Sequence, residues 1–278
     1  MDNISSKNNI KIITPHSKKF LNFKEILENK DLLYFLILKD IKARYAQSII
    51  GVGWAIIQPL FFMLVFTVIF GKLAKIDSEG LPYQLFSFTA LVPWTFFSNA
   101  MADSANSLSG NLSLITNIYI PRIMIPLSAI IGKFIDFIIS FMILVILLIS
   151  YSYYPDQKIV TIFIYILLMF LASFGFGLIL GTMAIQYRDI KYALPFGVQL
   201  FMYASPVAYS VNMIPEKYQL IYALNPMVTV IEGFRNIFLD TGNINIEMAS
   251  VSFITSFICL IIAIIYFSKT ERIFADVV

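Results

Sequence analysis

Residues Ile159–Tyr187 read IVTIFIYILLMFLASFGFGLILGTMAIQY, without a single Asp, Glu, Lys or Arg. A helix needs about 20 mostly apolar residues to cross the hydrocarbon core of a bilayer. A charge-free run of this length therefore has no water-soluble reading. Working outward, the same test finds Tyr45–Gly71, Gly80–Ala102, Phe137–Pro155, Tyr192–Pro215 and Met248–Ser268. Across the 278 residues, 59% are hydrophobic and 13% charged, against roughly 25% charged in soluble domains. The excess of Lys and Arg over acids is only +3, too small for a nucleic-acid-binding face. One cysteine and one histidine exclude a disulfide scaffold and leave almost no ligands for a structural metal.

The expected fold is all-α: a polytopic membrane protein with six transmembrane helices at about 49–71, 83–105, 126–150, 159–186, 192–211 and 247–268. The third begins near Pro126 and carries Lys133 and Asp136 within it. Residues 1–30 read as a polar cytoplasmic arm and 31–278 as the transmembrane domain. With the N-terminus inside, fourteen Lys and Arg face the cytoplasm and five face out. That asymmetry places both termini in the cytoplasm. The first apolar span begins too far in for a cleavable signal.

Before the first span, Tyr34, Ile37, Leu38, Ile41 and Tyr45 recur at helical spacing. A helix over 32–45 with an apolar stripe and basic flanks lies in the interface plane. Between the fifth and sixth spans, VNMIPEKYQLIYALNPMVTVIEGFRNIFLDTGNINIE (Val211–Glu247) holds two short apolar helices, Glu216–Leu224 and Met227–Leu239. Pro215 and Asn225-Pro226 delimit the first, and Asp240-Thr241-Gly242 stops the second. Neither can cross about 30 Å at 1.5 Å per residue, so the pair reads as a re-entrant hairpin over about 215–239 on the outer side. Glu232 and Arg235, three apart, can pair on one face.

Prolines 59, 93, 126, 195, 206, 215 and 226 interrupt this domain. Broken backbone in a bilayer lines a cavity or is buried in protein, which fits either a pathway or a kinked static bundle. Asp103, Lys133 and Asp136 are the intramembrane charges, each a functional candidate because a charge in lipid is costly. Lys133 and Asp136 are spaced to neutralise one another; contact with an anionic or hydroxyl-rich substrate is the other reading. The polar segment Asp103–Arg122 is long for a mere connection. Aromatics make up 15% of the chain. Phe61, Phe62, Phe66, Phe88, Trp94, Phe97, Phe201 and Tyr203 sit away from the span ends, either packed, lipid-facing or lining a channel where rings stack on sugar faces. No G-x-x-x-x-G-K-[ST], H-E-x-x-H, C-x-x-C or G-x-S-x-G occurs, so catalysis within the chain has little support.

Five blocks carry a resemblance: LKDIKARYAQSIIGVGWAIIQPLFFMLVFTVIFG (Leu38–Gly71), PYQLFSFTALVPWTFFSNA (Pro82–Ala100), IYIPRIMIPLSA (Ile118–Ala129), QYRDIKYALPFGVQLFMYASPV (Gln186–Val207) and LNPMVTVIEGFRNIFL (Leu224–Leu239). In this order they resemble the permease subunits of type-2 ABC exporters of cell-surface polysaccharides: O-antigen, capsule and teichoic acid. The resemblance implies a homodimer in the bacterial inner membrane, bound to two copies of a separate ABC ATPase subunit. That subunit binds ATP and Mg; this chain needs no cofactor. The substrate is then a lipid-linked polysaccharide, most closely O-antigen, with capsule or teichoic acid next. A small-molecule efflux permease or a membrane-embedded glycan-modifying enzyme fits less well. By the same likeness, the 32–45 helix is the interface helix and Asn111–Arg122 the cytoplasmic coupling or gate helix, and Lys39, Asp40, Arg44, Asn117 and Arg122 are ATPase-contact candidates. The first, second and fifth spans line the channel, and Pro215, Asn225, Pro226, Glu232 and Arg235 belong to periplasmic gate helices.

Overall fold

The computed structural model describes residues 23–46, 50–117, 120–155, 157–242 and 245–271. Residues 1–22 of the expected 1–30 arm and the C-terminal residues 272–278 lie outside the described residues, as do 118–119 within the expected coupling segment. In order, the helices are α1 (Phe23–Glu28), α2 (Lys30–Tyr45), α3 (Trp54–Phe66), α4 (Tyr83–Gly110), α5 (Leu112–Asn117) and α6 (Met124–Gly132). They continue as α7 (Phe134–Ser150), α8 (Ile162–Gln186), α9 (Asp189–Tyr203), α10 (Glu216–Tyr222), α11 (Pro226–Leu239) and α12 (Ile246–Thr270). Among the described residues there is no strand.

Four stretches are long and apolar enough to cross a membrane: Gly51–Leu73, Met124–Ser150, Ile159–Gln186 and Ile246–Thr270. The first is α3 with a short 3₁₀ entry and a π-helical extension over Thr67–Leu73. The second is α6 and α7, joined through a tightened turn in which the Lys133 amide donates to the Ile130 carbonyl at 3.0 Å. The chain is a multi-pass membrane protein.

The other two expected spans differ from that simple pattern for identifiable reasons. α4 runs 28 residues, beyond its expected end at 105 through a polar stretch to Gly110. It is the axis of the bundle, buried along most of its length. α8 lies against it so closely that a Cβ on Gly177 would stand 2.7 Å from the Ser104 side chain, and one on Gly181 3.1 Å from the Ala105 carbonyl. Small residues let membrane helices approach in this way because packing, not water exclusion, drives their association.

α9 has 15 residues, about 22 Å at 1.5 Å per residue, and stops at Tyr203 instead of running to 211. The following Ala204–Ser210 stretch is folded into turns. Broken backbone at this depth needs internal partners. Asn225 supplies one by donating from Nδ2 to the Ala204 carbonyl at 2.9 Å and to Ser205 Oγ at 2.8 Å. The same Asn225 caps α11, accepting from the Met227 amide at 3.0 Å. α11 ends at Asp240, which adopts the left-handed conformation with φ 52°.

α2 ends at Tyr45 as expected and begins two residues before the expected 32, but its packed face is not the expected one. The buried residue is Leu36, while Tyr34 points outward. The side turned to the bundle includes Leu36, Asp40 and Arg44 at four-residue spacing. It packs on α6, where Ser128 and Gly132 receive the two charged side chains. The packed face is therefore mixed, and the stripe through Tyr34 and Leu38 does not define it.

Candidate functional site: a charged cluster and the cleft beside it

The expected mutual neutralisation of Lys133 and Asp136 is the smaller part of what forms. Lys133 Nζ lies 3.8 Å from Asp136 Oδ2 but 2.9 Å from Asp103 Oδ2 on α4. Arg44, arriving from α2, places Nη1 2.8 Å from Asp136 Oδ2 and Nη2 3.5 Å from Asp103 Oδ2. It also donates to the Gly132 carbonyl at 3.3 Å. The Tyr45 hydroxyl donates to Asp136 Oδ1. Two cations and two carboxylates from α2, α4 and the α6–α7 join thus cancel. Paired and hydrogen-bonded charge is what partial burial tolerates. Burial, with the Asp136 carboxylate adding to it, pushes the Tyr45 phenol up to about 12.

A cleft of about 260 Å³ opens beside this cluster. Its lining includes Arg44, Tyr45, Lys133 and Asp136, joined by Trp54 and Gln58 of α3, Thr95 and Asn99 of α4, and Ser140 of α7. Thr95, Asn99 and Asp103 are spaced i, i+4, i+8 and form one helical stripe. Gln58, Asn99, Thr95 and Ser140 were not singled out from the sequence. The signal was available in that stripe, and in Gln58 as the one amide inside the apolar run WAIIQPLFFMLVF.

The ATPase-contact candidates divide. Lys39 and Asn117 are exposed, with Lys39 Nζ donating to Asn111 Oδ1 at 2.6 Å. Asp40 and Arg44 turn inward instead. Asp40 accepts from Ser128 Oγ at 3.1 Å, and burial raises its carboxyl above the usual range. Arg122 donates to the Glu271 carbonyl, tying the end of the α5–α6 connection to the end of α12. Burial likewise raises the Glu271 carboxyl, with Arg122 acting against it.

The aromatic candidates also divide, and four are corrected. Phe66, Phe88, Trp94 and Phe97 belong to the packed core and present no surface to a channel. Trp94 and Phe97 join Phe176 and Phe201 in one ring cluster, with centroids 5.6 to 6.3 Å apart. Phe61, Phe62 and Tyr203 point away from the bundle. Phe201 is half-buried and lines an apolar hollow of about 480 Å³ beneath α10, with Phe176, Tyr218, Ile221, Tyr222 and Leu224.

Between α9 and α12, α11 is buried and α10 is not. Pro215 is exposed at the start of α10, and Asn225-Pro226 forms the junction between the two helices. Glu232 and Arg235 pair at 2.8 Å with side chains only 2% and 1% exposed. They sit inside the bundle, not at an open mouth, because every residue of α11 except Asn236 is buried. Arg235 stacks over Phe86, 3.6 Å from its centroid. It also donates to the carbonyls of Tyr209 at 3.1 Å and Val207 at 3.3 Å, which holds the turns after α9. Among the described residues, no group of His, Cys, Asp and Glu is arranged to hold a metal.

The model of the ABC-2 type transporter family matches residues 31–239, which takes in nearly all of α2, the charged cluster, the cleft, α10 and α11. The chain is 31% identical to an O-antigen export system permease protein of Klebsiella pneumoniae, over 89% of this chain and 95% of that one. It is 26% identical to the corresponding protein of Myxococcus xanthus, over 78% and 84%. It is 22% identical to a polysialic acid transport protein of Escherichia coli, over 71% and 77%. With a family match over most of its length and a relative above 30% identity covered almost end to end, the chain belongs to the ABC-2 type transporters.

Proposed function

We propose that this chain is the membrane subunit of an ABC exporter that moves a lipid-linked polysaccharide, O-antigen before capsule or teichoic acid, out across the bacterial inner membrane. The observation that carries this reading is its likeness, over most of the chain, to O-antigen export permeases of two bacteria. The weaker likeness to a polysialic acid transport protein keeps the substrate a polysaccharide while ranking capsule second. ATP is hydrolysed by a separate subunit, two copies of which bind a homodimer of this chain.

In this reading α4 and α9 complete a six-span topology with both termini cytoplasmic, and α10 with α11 forms a re-entrant hairpin at the outer face. The charge balance of the loops supports the orientation. The shortness of α10 and α11 supports the hairpin. Exposed Lys39 and Asn117 are the ATPase-facing residues, and exposed Phe61, Phe62 and Tyr203 are the aromatic residues free to meet substrate or a second copy. The gate element is α10, since α11 is locked into the core by the Glu232–Arg235 pair.

Deletion of the gene, with the surface glycan located by a specific antibody, tests the function. Polymer lost from the surface and accumulating inside supports it. Unchanged surface glycan in a strain without a second permease overturns it.

A further inference from the structure

We infer that the cleft beside the Arg44–Asp136 cluster is a binding subsite for a single uncharged glycosyl ring of a glycolipid, separate from the aromatic residues assigned to the conduit. The inference rests on the exporter reading for its biological substrate, but its chemistry stands on the cleft alone.

The polar inventory decides the ligand class. Gln58 and Asn99 contribute primary amides, Thr95 and Ser140 hydroxyls, and Trp54 an indole. Among the described residues, the side chains of Gln58, Asn99 and Ser140 make no protein hydrogen bond. Thr95 Oγ1 donates to its own helix at the Val92 carbonyl, 3.1 Å away, and keeps acceptor capacity. An outward-facing amide halfway along an apolar helix is costly in hydrocarbon unless water or a ligand satisfies it.

The charges lining the cleft are Arg44, Lys133 and Asp136, with Asp103 bound to both cations from behind. Because they cancel, an anion such as a phosphate finds no uncompensated cation there. Mixed short donors and acceptors beside an indole face match instead a ring whose hydroxyls both donate and accept. At about 260 Å³ the cleft is near the lower end of ligand-pocket sizes, which run from about 300 Å³ upward. It therefore suits one ring and not a chain.

Placement says what else the ligand carries. The stripe from Asp103 to Thr95 climbs about 12 Å at 1.5 Å per residue, so the cleft enters the bundle from the end that holds α2. Trp54 and Gln58 on its α3 wall are outward-facing, and Phe61 and Phe62 continue the exposed face of α3 beyond the cleft. A ring seated between Gln58 and Asn99 can leave its lipid tail outside the bundle, along the apolar face of α3.

The test uses the full permease–ATPase complex in nanodiscs, with Ser140→Cys or Asn99→Cys in a Cys259→Ser background and a hydrophilic maleimide as label. Octyl glycosides of glucose, galactose and mannose are the probes, and tetraethylene glycol monooctyl ether is the same-tail control. Protection of the cysteines by at least one glycoside and not by the ether is the expected result. Equal protection by the ether would mean that only the tail binds. Protection by neither would mean a cleft holding water alone, and either result overturns the subsite. In cells, Asn99→Leu and Gln58→Leu should lower the surface glycan by about fivefold, the loss of one net hydrogen bond. Where gene deletion does remove the surface glycan, wild-type surface glycan in both variants also overturns it. If gene deletion leaves surface glycan unchanged while glycosides still protect, the exporter reading fails and the subsite stands.

Discussion

Arg44 at the end of α2 and Asp136 in the first turn of α7 stand 92 residues apart in the chain and meet at 2.8 Å. The contact fixes α2 onto the span formed by α6 and α7, and Asp103 draws α4 into the same cluster. Arg44→Ala leaves two carboxylates sharing Lys133 in a partly buried setting. The expected loss is about 1–3 kcal/mol, read as a fall in thermal midpoint of the purified permease. In a double-mutant cycle with Asp136→Ala the two losses should be non-additive by more than about 0.5 kcal/mol; additivity would mean that the pair is incidental.

Glu232 and Arg235 make a costlier site to break. Arg235→Ala leaves Glu232 without its cation in the core and frees the carbonyls of Val207 and Tyr209. Removing one partner of such a pair costs about 3–5 kcal/mol, so the variant should reach the membrane poorly. Arg235→Lys should not rescue it, because an ammonium lacks the planar fork and the stacking on Phe86. A lysine variant with wild-type abundance and thermal midpoint would contradict the role given to this geometry.

The cluster and the Glu232–Arg235 pair show what the sequence makes legible. Helical type, the charge-free stretches, the i, i+3 pairing of Glu232 with Arg235 and the stops at Asn225-Pro226 and Asp240 all depend on neighbours in the chain. The partners of Lys133 do not. Its side chain reaches Asp103 across to α4, and no spacing rule reports a contact between helices 30 residues apart in sequence. The face of α2 was misread for a related reason. Asp40 and Arg44 look like solvent-side residues until Ser128 and Gly132 are brought beneath them. Burial of aromatics was illegible because a membrane helix is apolar all round, so Phe61 and Phe97 look alike in sequence.

Asp40 gives a pH dependence of known sign. Burial raises its carboxyl above the ordinary 3.8, against the opposing Ser128 hydrogen bond. Between 3.8 and the raised value the folded protein holds a proton that the unfolded chain has released. The stabilisation from this group is therefore complete below 3.8 and is lost as pH rises through the folded value. Asp40→Asn cannot titrate, so it should flatten the thermal midpoint over that interval. The check is a pH series of unfolding scans on both proteins; an unchanged slope in the variant would remove Asp40 as the source.

Close approach of α4 and α8 makes Gly177 intolerant of bulk. The Cβ position stands 2.7 Å from Ser104 Cβ and Oγ and 3.1 Å from the Met101 carbonyl. The serine can turn its hydroxyl aside, but its Cβ and the backbone carbonyl cannot move without the helix. Gly177→Leu should separate the two helices and abolish folded protein, while Gly177→Ala should cost about 1–3 kcal/mol of overpacking. Fluorescence-detected size exclusion of both variants reads this directly, and a monodisperse Gly177→Leu peak would refute the packing.

Trp94 and Phe61 separate stability from transport. Trp94 is 3% exposed and packs against Phe97 and Phe201, whereas Phe61 is 65% exposed on α3. Removing a buried aromatic costs about 3–5 kcal/mol, so Trp94→Ala should lower both the thermal midpoint and the amount of assembled permease, with export falling in proportion. Phe61→Ala removes no packed ring and should leave stability within about 0.5 kcal/mol. Any loss of surface glycan in that variant then reports a contact with substrate or with a second copy. Thermal scans and surface-glycan measurement on the same preparations distinguish the two cases. An unshifted midpoint for Trp94→Ala would place that ring outside the core, and wild-type export for Phe61→Ala together with Phe62→Ala would remove α3's outer aromatics from the conduit.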